Sequence, residues 1–422
     1  MPSLIILSGL LLVVLIDQRA IQWEWRDISV SLAFIAALLI VHVYLTLRRP
    51  RSDQVLFPVV AMLTAVGLVM IQRLARLTTD VDDLVGIDIR QTIWVFVGIF
   101  VMLVTMSAFR FVETMRRYKY TFALLGFLMM LALLIPGLGT TLNGARLWYD
   151  FRFFLFQPFE LVKVILVFFF AAYLDERRDV LASEYRVGPL RLPPLPYLAP
   201  MVAMWGASMM MLVVLRDLGS ALLFFGVFLA LLYSVTGRAL YVGVLGSGFV
   251  AGAVLAYRTF AHVQTRFDTW LYPFQDPYDR GLQINRSLFA LASGGVYGTG
   301  LGYGAPESIP AVSTDMIFIA VGEELGMIGT LALLGLFLVL TCRGFYIALQ
   351  ARYGFFQLLA IGLTTIFGLQ AIIIIAGATK VIPLTGITLP FVSYGGSSIV
   401  TNFLMTGLLL GISGAEQRSD SG

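Results

Sequence analysis

The residues that could do chemistry are few, and they sit where charge is costly. Of 422 residues, 13% are charged and 59% hydrophobic. An ionisable side chain inside an apolar run is therefore an exception that asks for a reason. Four stretches qualify. The first reads Asn143-Gly-Ala-Arg146-Leu-Trp148, followed by Gln157-Pro158-Phe159-Glu160-Leu-Val-Lys163. Proline suits the first turn of a helix, and Glu160 and Lys163 then share one helical face. They read either as a structural ion pair that fixes packing or as a lysine held toward an anion. Arg146 and Trp148 read either as interfacial anchors or as part of that same site. The second stretch, Arg216-Asp217-Leu218-Gly219, places Asp217 as a helix N-cap or as half of a solvated pair.

The third stretch is Ser313-Thr314-Asp315, directly before the apolar run 316–340. An acid there is an ordinary N-cap signal. Glu323 and Glu324, however, lie more than two turns into the same helix, which predicts that this helix borders a polar cavity. The fourth stretch runs from Lys380 through Pro383, Gly386, Pro390 and Ser393 to Gly395-Gly396-Ser397-Ser398. Proline, glycine and hydroxyls at that density predict broken or re-entrant backbone lining a cavity, with amides around Gly395-Gly396 suited to an anion. A plain tight turn is the alternative. A glycine run over 294–304 superficially offers a dinucleotide fingerprint, but it has no strand–helix–strand context and is set aside.

The elements that must position these residues are membrane spans. A spanning helix needs roughly 20 mostly apolar residues. Candidate cores are 4–16, 28–47, 55–71, 93–106, 120–135, 156–174, 198–215, 221–235, 241–257, 316–340, 355–376 and 398–412. The fold class predicted is all-α, a polytopic membrane protein of about 12 helices. The first run lacks a basic leader and a small-residue cleavage site, so it reads as a span. Arginine clusters at 48–51, 110–119 and 177–191 fall on one side, which makes that side cytoplasmic with both termini inside. The stretch 258–313, rich in Tyr, Phe, Trp and Gly, then forms a large structured extracytoplasmic loop.

Several classes drop out. The single cysteine, Cys342, rules out a disulfide framework or a cysteine metal cluster, and two histidines are too few for a histidine-rich metal site. No Gly-Lys pair exists, so there is no P-loop. A dispersed net charge of +4 gives no footing for nucleic acid.

Taken in order, the motifs resemble the SEDS family of bacterial membrane proteins (shape, elongation, division and sporulation). The resemblance rests on Asn-Gly-Ala-Arg-x-Trp, Gln-Pro-x-Glu-Leu-x-Lys, Asp-Leu-Gly-Ser and Asp276-Pro277-Tyr278. It continues through Thr-Asp-x-Ile-Phe…Glu-Glu-Leu-Gly to Leu-Pro-Phe-Val-Ser-Tyr-Gly-Gly-Ser-Ser, roughly 55–413. It implies a ten-helix core over 51–415; the two additional N-terminal helices over 1–50 exceed the family's usual ten, and a short cytoplasmic tail follows over 416–422. Phe159 and Arg216 depart from the family's usual serine and proline.

The resemblance also implies an activity: polymerising peptidoglycan from lipid II, in the bacterial cytoplasmic membrane, alongside a class B penicillin-binding transpeptidase. Residue by residue, it makes Asp315 the essential acid. It matches Arg146, Trp148, Glu160 and Lys163 to family positions; together with the reading of the residues above, Asp217, Lys380, Ser393, Gly395, Gly396 and Ser397 join them toward lipid-linked substrate, with Glu323 and Glu324 at a polar cavity. Asp315 would take the acceptor hydroxyl proton while fixed cations balance the departing pyrophosphate. No cofactor is certain; a divalent cation, Mg or Mn, could share that charge, although the sequence shows no dedicated cage. The elongation (RodA-type) role is favoured over the division (FtsW-type) role, and a lipid II flippase would use the same polar residues.

Overall fold

The computed structural model describes residues 25–48, 52–77, 86–135, 137–142, 145–152, 154–178, 185–187, 190–192, five positions between 199 and 206, and 217–416. The expected spans 4–16 and most of 198–215, with Asn143, Arg216 and the tail from 417, lie outside them. The other expected spans are all helices: α1 (Trp25–Arg48), α2 (Leu56–Leu77), α3 (Ile87–Ser107), α4 (Lys119–Ala132), α5 (Pro158–Glu176), α6 (Leu218–Thr236), α7 (Ala239–Thr259), α10 (Ile317–Gln350), α11 (Gly354–Ala378) and α12 (Gly396–Glu416). Among the described residues, eight of these are long and apolar enough to cross a membrane. The stretch after α7 is not a plain loop. It holds α8 (Ala261–Leu271), α9 (Leu282–Gly294) and two single turns at Pro273–Gln275 and Pro306–Ser308.

The chain divides into two compact units. The first comprises Met1–Met106, Arg266–Arg343 and Gln370–Gly422. Its helices approach closely where glycine removes the side chain, the usual solution when lipid supplies no hydrophobic drive between helices. A Cβ on Gly67 would stand 2.7 Å from the Val392 carbonyl, and one on Gly98 would stand 2.5 Å from the Phe403 ring. Asp53 fastens the start of α2. Its Oδ1 accepts from the amides of Val55 and Leu56 at 3.0 and 2.8 Å. Its Oδ2 accepts from Arg343 at 2.6 Å. The helix α2 also runs past the expected end of its span, to Leu77.

The long helix α10 is broken. Gly326 adopts φ 67°, ψ −165°, outside helical space. The main-chain groups freed by the break are paired by the glycine run: Thr299 and Gly300 donate to the carbonyls of Glu323 and Glu324 at 2.9 and 3.0 Å. In return the amides of Met327 and Ile328 donate to Gly295 and Val296 at 3.0 and 3.2 Å. Only glycine allows this approach, since a Cβ on Gly298 would sit 2.2 Å from the Glu324 carbonyl. The run read as a false fingerprint is thus the splint of a broken helix.

The second unit comprises Ser107–Thr265 and Gly344–Leu369. Its core is aromatic: Phe168 meets Phe355 edge-on at 5.3 Å, and Phe159 lies 4.8 Å from Phe224. Arg116 pairs with Asp175 at 2.6 Å and Lys119 pairs with Glu176, tying the start of α4 to the end of α5. Small sheets supplement the helices. β1 (Gly139–Leu142), β2 (Ala145–Asp150) and β3 (Leu155–Phe156) form an antiparallel sheet in that order, and β4 (Tyr185–Val187) pairs with β5 (Leu190–Leu192). Thr140 stands opposite Trp148 in the first of these.

Candidate functional site

Asp315 lies in a turn that leads into α10, where its amide donates to Ala311 at 3.1 Å. Facing it is the irregular backbone between α11 and α12, as the density of proline and glycine led us to expect. Gly386 faces the acid, with a would-be Cβ at ordinary contact distance, 3.7 Å, from Asp315 Oδ2, and it is its φ of +73° that favours glycine there. Two bonds join this backbone to the Asp315 turn. The Ser393 hydroxyl donates to the Thr314 carbonyl at 2.5 Å, and the Tyr394 amide donates to Ser313 at 2.8 Å. Ser393 therefore acts here as a brace for the turn carrying the acid.

The amides expected to receive an anion at Gly395-Gly396 are partly committed. Gln91 on α3 accepts from the Gly395 amide at 3.2 Å and donates to the Ser393 carbonyl at 3.1 Å. Gly396 lies under Trp94, with a would-be Cβ 2.5 Å from the indole. Ser397 is half-exposed at the start of α12. Lys380 is half-exposed with φ +62°, and its carbonyl accepts from the Trp270 indole at 3.0 Å. The stretch after α7 thus supplies side chains to this backbone, Arg266 included, which donates to Thr385 at 3.4 Å.

Glu323 and Glu324 meet partners that the sequence did not announce. Arg73, near the end of α2 and 1% exposed, places Nε 2.5 Å from Glu324 and Nη1 2.9 Å from Glu307. Its Nη2 donates to the Gly304 carbonyl at 2.8 Å. Glu323 accepts from the Ala305 amide at 3.0 Å. The polar cavity expected along this helix face is occupied by an ion cluster and loop backbone. Gln91 and Arg73 are the residues that spacing missed. The one available signal for Arg73 was an arginine continuing an apolar helix.

The second unit holds the other expected residues. Lys163 is fully buried and sits 2.5 Å from Glu160, itself about 5% exposed, as their spacing on one face requires. Pro158 opens their helix. Asp217 caps α6: it accepts from the Ser220 amide at 3.0 Å and from the Ser220 hydroxyl at 2.6 Å. Arg146 reaches back from β2 to the Gly139 carbonyl at 2.9 Å and to Leu134 and Ile135 at 3.3 Å each, covering carbonyls just past the end of α4. Trp148 is half-buried in β2. Among the described residues, no group of three or more His, Cys, Asp or Glu side chains is gathered to hold a metal ion.

Many apolar helices with acids and bases spent on one another define a multi-pass membrane protein whose polar groups are held in fixed geometry. Comparison with known proteins gives the family. The profile described as "Cell cycle protein" and covering FtsW, RodA and SpoVE matches residues 53–418. The chain belongs to this family. It is 37% identical over 421 residues to "Peptidoglycan glycosyltransferase RodA" of Mycobacterium tuberculosis, covering 99% of this chain and 89% of that one. To "Probable peptidoglycan glycosyltransferase FtsW" of Trichlorobacter lovleyi it is 33% identical over 377 residues, covering 87% and 95%. Its fold matches a chain solved in "Structural coordination of polymerization and crosslinking by a peptidoglycan synthase complex", with a TM-score of 0.71 at 24% identity, covering 86% of this chain and 98% of that one.

Proposed function

We propose that this protein is a peptidoglycan glycosyltransferase that polymerises lipid II, with Asp315 as general base. The observation that carries the reading is the half-exposed Asp315 at the start of α10, in a turn braced by Ser393 and Tyr394 and facing Gly386. In this reading Asp315 takes the proton from the acceptor's 4-hydroxyl as that oxygen attacks the donor's anomeric carbon. The bond to undecaprenyl pyrophosphate breaks on the opposite face and the pyrophosphate leaves with the electron pair. Fixed cations in a water-poor site stabilise such developing charge. In the first unit, which holds Asp315, Lys380 is the candidate cation, with Ser397 and the Gly396 amide as candidate contacts; the second unit's Arg146, Trp148, Glu160, Lys163 and Asp217 stay candidates for lipid-linked substrate in their own right. A divalent cation carried by the pyrophosphate would share that charge.

The RodA-type role in elongation is favoured over the FtsW-type role, because whole-length similarity supports it, including the residues before position 53. The same reading assigns a class B penicillin-binding transpeptidase as partner. It places the protein in the cytoplasmic membrane with both termini inside and the 258–313 stretch outside. The test uses purified protein and lipid II in detergent, where translocation has no meaning. Wild type forms glycan and Asp315→Asn does not. A variant that still polymerises at near wild-type rate removes Asp315 as the base.

A further inference from the structure

We propose that Arg73 is a positioning residue for Asp315, acting through Glu324 and the short helix between them. The proposal rests on the reading of Asp315 as the base. Because α10 is interrupted at Gly326, the piece 317–325 that follows Asp315 is a separate rod about 14 Å long. The remainder of α10 does not fix its rotation, so whatever grips its two ends does. At the Asp315 end the grip is neutral, made by Ser393 and Tyr394 on the carbonyls of Thr314 and Ser313. At the other end main-chain amides of Thr299 and Gly300 hold the carbonyls of Glu323 and Glu324, and Arg73 adds the ionic side-chain contact.

The guanidinium engages three acceptors at once: Glu324 at the end of the rod, and Glu307 and the Gly304 carbonyl of the stretch that wraps it. The Nε contact is a close ion pair rather than an aligned hydrogen bond. A cation at the C-terminal end of a helix also meets its dipole favourably. Arg73 and Glu324 are buried to 1% and 0% exposure, so neither can relax into water when its partner is lost. A planar fork with two directed donors, at Nη1 and Nη2, together with a close Nε ion pair fixes orientation; a lysine ammonium supplies the charge without the fork. Removing Arg73 strips Glu324 and Glu307 of their shared cation, and the rod is expected to turn within its remaining main-chain bonds.

The experiment measures lipid II polymerisation and thermal unfolding of the purified full-length chain for R73Q, R73K, E324Q, R73Q/E324Q and D315N. Misplacing a reacting group by about 1 Å costs on the order of 100-fold, so R73Q is expected to lower kcat by about that factor with KM for lipid II changed less than about two-fold. E324Q is expected to act in the same direction, and the double variant to be no slower than R73Q, since both changes release one contact. R73K keeps the charge and is expected to fold, with kcat still lowered at least about five-fold. It carries the test if R73Q does not fold. Wild-type kcat in R73Q or R73K overturns the proposal. So does a loss explained wholly by a smaller folded fraction, or additive losses in the double variant. An active D315N overturns the base assignment and this proposal with it. An inactive D315N beside a fully active R73Q overturns the positioning alone.

Discussion

Lys163 carries its charge at zero exposure with Glu160 2.5 Å away, and this pair decides how the second unit tolerates change. Removing one member of a buried pair strands the other, at a cost of about 3–5 kcal/mol, whereas removing both replaces charge by apolar packing. Lys163→Met should therefore depress the unfolding temperature in detergent strongly, and Glu160→Leu/Lys163→Met should recover most of the loss. If the lysine also meets substrate, the recovered double variant stays inactive in lipid II polymerisation; recovered activity would assign the pair to packing alone. The pair was legible in the sequence because both partners lie on one turn of one helix, and Asp217 was legible as a cap for the same reason of locality. Arg73 was not. Its three acceptors come from segments remote in the chain, and no local spacing encodes them.

Two elements look ordinary in sequence and are not. The hydropathy of 316–340 is continuous, so nothing marks Gly326 as a break; the breach costs no apolar character, only hydrogen bonds. Those bonds are returned by the glycine run, which spacing alone placed in a loop. Gly298→Ala tests the splint: φ +85° and a contact of 2.2 Å with the Glu324 carbonyl leave no room for a methyl group. The strain should cost at least about 2 kcal/mol, seen as earlier unfolding and lower polymerase activity. Gly335, with nothing near its would-be Cβ, is the matched control and should accept alanine without loss. The sheet β1–β2–β3 escaped the sequence reading because its short strands follow an apolar helix without clear alternation.

At the scale of the molecule, the placement of spans was readable because length and apolarity are set by the bilayer. Sidedness is a separate matter and has a direct test. Cys342 is the single cysteine of the chain and is exposed, next to Arg343, which pairs with Asp53. If the basic clusters face the cytoplasm, a membrane-impermeant maleimide should label Cys342 in inside-out vesicles and spare it in intact spheroplasts. The opposite pattern would invert the topology and put Asp315 on the wrong side for lipid-linked substrate presented outside. No cysteine-free background needs building first.

The interruption at Gly326 has one more consequence, for how the protein lives in membranes of different thickness. Continuous helices answer hydrophobic mismatch by tilting as a whole. Here the break at Gly326 interrupts the helical hydrogen-bond ladder, so tilt of the part beyond it need not pass in full to 317–325 and the Asp315 turn before it. Activity measured in bilayers of graded acyl length should therefore vary little in the wild type and more steeply once the grip at Arg73 is released.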